Sequence, residues 1–531
     1  MSNTIIIGAR KSALAKIQAY RVGQSILELN PNLIIEYCFQ EAAGDKDLTS
    51  PLWKMEGKGV FTRDLQVELI ENRIDCVVHS WKDLDLEERS ETETLSILPR
   101  EDQRDVLLIK SKLWETAKSV SPNKLNEILK ICTSSPRREY NLGKFLPSLL
   151  PIQFSNCKFS FTPIRGNIQT RIKKFLDGDY AGLVIAKAAL DRLIGFNSLN
   201  PDLISEDDWN DFSHTKQFIQ QGISLCQFMI LPLSLNPNAP AQGGLVLELR
   251  KSDHRIKDLF MNLQDAKADS SSHLERKILK KYGGGCHQKI GVAVLERDYG
   301  QIVYTRGLTD QGIELHSEEI IRTNSIEKFH LNETWHPSIN QFIKSRERIP
   351  CAIASNADLW ITKSFALPKK LPAPKLIWTA GTKTWKELAR RGYWVNGTSD
   401  GLGESDSVDL ENLTGRVINF VKLTHDQSQE LQKESKFRIV STYRISNMTL
   451  PQAFNPDRLK AAYWSSSSEY KKLTDLYPQM KKLIHFCGPG STYRFIRNDL
   501  IKELDAKIYI TLSYEHWKRE FIISTETNHE I

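Results

Sequence analysis

The chain has 531 residues, 40% hydrophobic and 26% charged, with a formal net charge of +7. This is the balance of a soluble globular protein with room for about three to five domains. Eight scattered cysteines without a CxxC pair exclude a disulfide framework or a zinc site and point to a reducing compartment. The opening "MSNTIIIGARKSALAK" returns to charge after three strongly apolar residues, which excludes a signal peptide or membrane anchor, and a cytoplasmic enzyme is expected. No basic tail or nucleic-acid signature is present, so the positive excess serves either a solvated surface or an acidic ligand.

From residue 4 to about 100, short apolar strands ("NTIIIGA", "LIIEYCF", "DCVVHS") alternate with segments of helical period, the pattern of parallel α/β structure. A second run of the same kind extends to about 200 and predicts a second α/β lobe. Residues 195–240 are polar and irregular until "ISLCQFMILPLSL", and read as an insertion followed by a strand. The stretch "SSSHLERKILKKYGGGC" predicts an amphipathic helix ending in a glycine loop, and a hairpin pattern follows. The boundaries expected are lobe 1 at 1–102 with about 223–252, lobe 2 at 103–200, an insertion at 201–222 and a small α+β domain at 253–325. A connecting segment at 326–349 then leads to a two-lobed α/β unit at 350–531. Within that unit "LIWTAGTKTWKELARRGY" and "LIHFCGPGSTYRFIRNDL" each read as a strand, a Gly and Thr/Ser turn, and a helix.

Turns at strand ends hold the distinctive polar residues: Arg10 and Ser12, Lys58, Lys82 and Asp83, Ser134, Ser135, Arg137 and Arg138, then Arg165 and Arg171. Ligands of open α/β sheets bind outside the carboxyl ends of strands, so these turns can converge on one cleft. The planar fork of arginine suits carboxylate or phosphate, which makes an acidic ligand the expectation; a scatter of surface ion pairs is the bland alternative. Neither a P-loop nor a dinucleotide fingerprint is present. Asp83 is a lone carboxylate among cations, able to stabilise a developing positive charge or to serve as a simple turn salt bridge. Cys286 follows three glycines, either an accessible thiol on a bare loop or a small buried hydrophobe.

The stretches "GARKSALAKIQA", "KGVFTRDLQVELIENRIDCVVHSWKDL", "TSSPRRE", "IRGNIQTRI" and "GGGC" together resemble the porphobilinogen deaminase family over about residues 4–320. The resemblance implies two lobes like those of periplasmic binding proteins and a small third domain. It implies a dipyrromethane cofactor held by Cys286 through a thioether, with Lys82, Ser135, Arg137 and Arg138 around it. Asp83 would stabilise the cation formed when ammonia leaves porphobilinogen, while Arg10, Ser12, Lys58, Arg165, Arg171 and Arg192 would grip acetate and propionate groups. Departures are Cys132 where glycine is usual, Trp81 where a smaller residue is common, and a longer segment at 195–230.

Residues 350–525 resemble uroporphyrinogen-III synthase through "LWITKS", "GTKTWKELARRGY", "GRVINFVKL", "STYRIS", "AAYWSSSSEY" and "CGPGSTYRFI", with the first strand and helix of that fold reduced. The match implies that Tyr443 assists loss of the hydroxymethyl oxygen and that Thr384, Ser467 and Ser491 hold propionates. A bifunctional monomer is therefore expected, acting on porphobilinogen and linear tetrapyrroles, with no metal, nucleic acid or membrane partner. The alternatives are a deaminase with a structural appendage and a two-lobed binder without chemistry.

Overall fold

A computed structural model describes residues 3–41, 63–87, 89–119, 125–284, 288–322, 325–337, 345–369, 371, 374–406, 408–428, 435–446, 455–501 and 507–523. Lys58 and Cys286 lie outside the described residues. The chain divides into two units: residues 1–296, 303–317 and 409–417, and residues 297–302, 318–408 and 418–531.

The first unit holds two five-stranded sheets. Lobe 1 has the order Ile34–Gln40, Thr4–Arg10, Cys76–Ser80, Leu245–Arg250, Thr92–Ile97. The first three strands run parallel, as the alternating pattern predicts, but Leu245–Arg250 is antiparallel to both neighbours. Its run LVLELR is buried on both faces because it lies inside the sheet. Lobe 2 has the order Lys158–Thr162, Ile128–Cys132, Gly182–Ala186, Asp105–Lys110, Cys226–Ile230, again with an antiparallel strand, Asp105–Lys110, entering from the other lobe. The chain thus crosses between lobes twice, outward before Asp105 and back through residues 231–244.

Three expected boundaries change. Cys226–Ile230 pairs with Asp105–Lys110 and belongs to lobe 2, not lobe 1. The helix His254–Met261 joins lobe 1, because Ile256 and Phe260 complete the core formed by Ile5, Ile7, Val22 and Leu247. The insertion is not irregular: Glu206–Ser224 is a helix capped by Ser205, whose side chain accepts from the N–H of Asp208. The small domain consists of the helix Ala266–Lys280 packed on the sheet Gly291–Arg297, Gly300–Leu308, Glu314–Ile321, with Leu279, Val292, Val294 and Val303 between them.

In the second unit the segment read as a connector is part of the fold. Thr334–Trp335 pairs with Ala461–Ala462 at the edge of a four-stranded parallel sheet, and Trp335 packs with Trp464 and Tyr470. Ser345–Arg348 pairs antiparallel with Arg438–Ser446 at the edge of a six-stranded sheet. Burial of Trp335 and Phe329 supplies the apolar reason for that docking. The two strand–glycine–helix segments are as read: Leu376–Thr379 leads through Gly381 to Thr382–Arg390, and Ile484–Cys487 through Gly490 to Ser491–Asp499.

Candidate active site

The return crossover, residues 231–244, is almost wholly buried, so its backbone polar groups need partners inside the protein. Charged side chains supply them. Arg137 donates to the carbonyl of Pro237 at 2.6 Å, Arg192 to that of Gly243 at 2.7 Å and Arg100 Nε to that of Gln242 at 2.9 Å. Gly243 is required there, since a Cβ would stand 2.5 Å from the carbonyl oxygen of Glu101. Glu275, fully buried on the small-domain helix, accepts from the N–H groups of Ala241 and Val294, from Asn238 and from both Nη atoms of Arg100.

A second buried carboxylate organises lobe 2. Asp105 opens its strand and accepts from Arg137 Nη2 at 2.9 Å, Arg138 Nη2 at 2.6 Å, Asn236 at 2.9 Å and Gln242 Nε2 at 2.9 Å. Burial alone would raise its pKa, but the two guanidiniums and the donated hydrogen bonds hold it far below the usual carboxylate range. A group so depressed adds stability that is complete above its unfolded value of about 3.9 and is lost as pH falls towards the folded value. Asp105→Asn should therefore cost about 3–5 kcal/mol of unfolding free energy at neutral pH, read by urea denaturation, with the gap to wild type narrowing only below about pH 4.

The turns of both lobes meet across the cleft. Strand Cys76–Ser80 ends in the short 3-10 turn Trp81–Asp83. Trp81, 1% exposed, anchors that turn from below, packing with Leu84, Ala241 and Val246 and edge-on to His273 at 5.0 Å. Arg276 of the small-domain helix donates to the carbonyls of Leu84 and Asp85. The bulky residue at 81 is therefore a wedge between lobe 1 and the small domain. Above it Asp83 is exposed and makes no hydrogen bond among the described residues. Lys82 donates to Gln242 Oε1 at 3.4 Å; burial pushes its ammonium down to about 8, against the opposing pull of Asp83.

From lobe 2, Ser135 caps the helix Pro136–Leu149 by accepting from the N–H of Arg138, and Ser134 ties its turn to the next through the carbonyl and N–H of Ile164. Arg171, in the first turn of Ile168–Asp177, donates to Gly166 O at 2.7 Å. Burial lowers its pKa to about 10, and Arg138, Arg165 and Arg10 push the same way while Asp83 opposes them. Arg10, Lys82, Asp83, Arg138, Arg165 and Arg171 are thus electrostatic neighbours. Ser12 caps the helix Ala13–Leu29 at the lobe 1 side, without a side-chain cap bond.

Three expected ligand groups are committed inside the protein. Arg138, 8% exposed, gives Nε and Nη2 to Asp105 and Nη1 to the carbonyl of Val184. Arg137, 3% exposed, is spent on Asp105 and Pro237, and Arg192, also 3% exposed, on Gly243 in the company of Glu101 and Arg21. Both hold the crossover. Asp105, Gln242 and Glu275 were not read as functional from sequence. Their signal was an acid or amide set within apolar or helical runs, which marks a buried polar group but not its partners.

The small domain brings its loop to the same place. Gly283 and Gly284 have φ of 98° and 66°, and a Cβ on Gly284 would stand 2.8 Å from Leu86, three residues beyond Asp83. Gln288 donates to the carbonyl of Tyr282, so the described residues on either side of positions 285–287 are bonded to each other.

In the second unit a cavity of about 560 Å³ is lined by Arg346, Lys363, Lys383 and Arg494, by Glu387, and by Lys422 and Glu404, which form a buried ion pair. The first turns of Thr382–Arg390 and Ser491–Asp499 line it too, both preceded by a glycine with no side-chain cap. Thr384 and Ser491 are at this cavity. Tyr443 and Ser467 are not on its wall: Tyr443, 2% exposed, lies edge-on to Phe365 at 5.3 Å, and Ser467 is buried in the first turn of Ser467–Leu476.

Two α/β lobes joined by two crossovers, with arginines of both lobes as electrostatic neighbours of Asp83, define a two-lobed α/β protein with a cluster of cations at its strand-end turns. The family model "porphobilinogen deaminase, dipyromethane cofactor binding domain" matches residues 5–258. Among similar curated proteins, the porphobilinogen deaminase of Chloroherpeton thalassium is 33% identical over 291 residues, which is 55% of this chain and 78% of that protein. That of Caldicellulosiruptor saccharolyticus is 34% identical over 287 residues, covering 54% and 82%, and that of Clostridium botulinum 31% over 327 residues, covering 61% and 96%. The chain belongs to the porphobilinogen deaminase family. Its N-terminal half carries that activity, with dipyrromethane as the cofactor.

Proposed function

We propose that Asp83 is the catalytic carboxylate of the deaminase, that Cys286 bears the dipyrromethane, and that the second unit closes the linear product to uroporphyrinogen III. When bound, the dipyrromethane is the primer to which incoming rings are joined. Arg10, Lys82, Arg165 and Arg171 take the acetate and propionate groups, each charge-assisted bond contributing about 1.5–3 kcal/mol. Ser12, Ser135 and Lys58 complete that set. Asp83 accepts pyrrole N–H groups and stabilises the positive charge that develops as porphobilinogen loses ammonia. The observation that carries this reading is one open carboxylate facing arginines from two lobes.

For the second unit the supporting observation is its cavity, where cations and two uncapped helix N-termini suit carboxylates. In this reading Thr384 and Ser491 hold propionates directly, whereas Tyr443 supports the wall from behind through Phe365. Carrying both activities on one chain raises the effective concentration of an unstable intermediate at the second site. The full-length protein given porphobilinogen, with products oxidised and resolved by chromatography, should yield mainly type III porphyrin. Type I alone would make the second unit an appendage.

A further inference from the structure

The helix Glu206–Ser224 lies in the segment 195–230, which is longer than the family resemblance implies, and it touches both lobes. On lobe 2 it lies against the helix Ile168–Asp177 closely enough that a Cβ on Gly222 would stand 2.8 Å from Ile172. On lobe 1 it meets the helix Ala13–Leu29. Asp208, 8% exposed, accepts from Lys16 Nζ at 2.5 Å and from Tyr20 Oη at 2.7 Å. Lys16 and Tyr20 are one helical turn apart, so both reach one carboxylate from the same face. Apolar contact continues the junction. The Tyr20 ring lies edge-on to Phe212 at 6.1 Å and to Phe39 at 5.7 Å, and Lys16 Nζ stands 5.1 Å from the Phe39 centroid. A few residues upstream of the helix, the N–H of Asn200 donates to Gln24 at 2.9 Å.

We propose that this helix straps the two lobes together and that Asp208 is a positioning residue for the deaminase: through Lys16 and Tyr20 it fixes the helix that begins directly after Arg10 and Ser12. The strapped helix Ile168–Asp177 carries Arg171, so one element holds cleft arginines of both lobes in mutual register. A shift of about 1 Å in such groups is enough to lower turnover substantially while leaving binding of a single small substrate largely intact. The inference rests on Arg10 serving the growing chain.

The test uses the full-length holoenzyme with Asp208→Lys, Lys16→Glu, the double exchange, the milder Tyr20→Phe, and Arg10→Ala as a control. Melting temperature, kcat, KM and the intact-mass pattern of enzyme-bound intermediates are recorded for each. Asp208→Lys should lower kcat roughly tenfold with KM within about twofold and should accumulate bound intermediates. The double exchange should restore most of the turnover, and Tyr20→Phe should give a smaller change in the same direction. If Asp208→Lys does not fold, the Tyr20→Phe pattern decides. Wild-type kcat and intermediate pattern in folded Asp208→Lys or Tyr20→Phe, with Arg10→Ala perturbed, would overturn the strap alone. A normal pattern in Arg10→Ala would overturn the cleft reading on which it rests.

Discussion

Asp83→Asn should lower kcat of porphobilinogen consumption by at least about a hundredfold, with folding and cofactor attachment preserved. The amide keeps the size of the side chain and can still accept from a pyrrole N–H. It cannot offset the positive charge that develops as ammonia leaves. Asp105, the other carboxylate among the charged neighbours of Lys82, does not replace it, because it is committed to two arginines, Asn236 and Gln242. Since Asp83 makes no hydrogen bond among the described residues, the variant should unfold within about 0.5 kcal/mol of wild type. Near-normal kcat would remove Asp83 from the chemistry, and a large loss of stability would make its role structural.

Cys286→Ala should have no measurable turnover and should carry no pyrrole detectable by acid aldehyde reagent on the purified chain. Just before it, Gly283 and Gly284 adopt left-handed backbone, and just after it Gln288 donates to the carbonyl of Tyr282. Cys76, Cys132, Cys226 and Cys487 are no substitutes, because they are buried and burial pushes their thiols up. An active Cys286→Ala protein would exclude the tether.

What the sequence discloses and what it conceals divide along physical lines. Strand ends with Gly, Ser and Arg turns are local signals, so "TSSPRRE" and "IRGNIQTR" could be read as strand-end turns of lobe 2; that Ser135 and Asn167 cap the helices that follow is seen only in the structure. Asp83 and its electrostatic neighbours were legible for the same reason. Which sheet a strand joins is not local: Cys226–Ile230 and Leu245–Arg250 are separated by a short crossover yet lie in different lobes. The helix Glu206–Ser224 was hidden by polar composition, although the Ser205 cap and the buried positions Phe212, Thr215, Ile219 and Ile223 follow helical spacing. Arg137 and Arg138 illustrate the limit at the site itself. Adjacent in sequence, both turn inward to Asp105, and Arg137 also reaches the Pro237 carbonyl of the crossover, a partner 100 residues away. Trp335 was missed because two buried strand residues in a charged stretch carry no periodic signal.

The central claim is that one tethered chain grows in one cleft. Wild-type protein mixed with limiting porphobilinogen, quenched and measured intact, should show a ladder of covalent adducts, and proteolysis should locate every rung on the peptide containing Cys286. Adducts on another residue, or turnover without any covalent adduct, would contradict it.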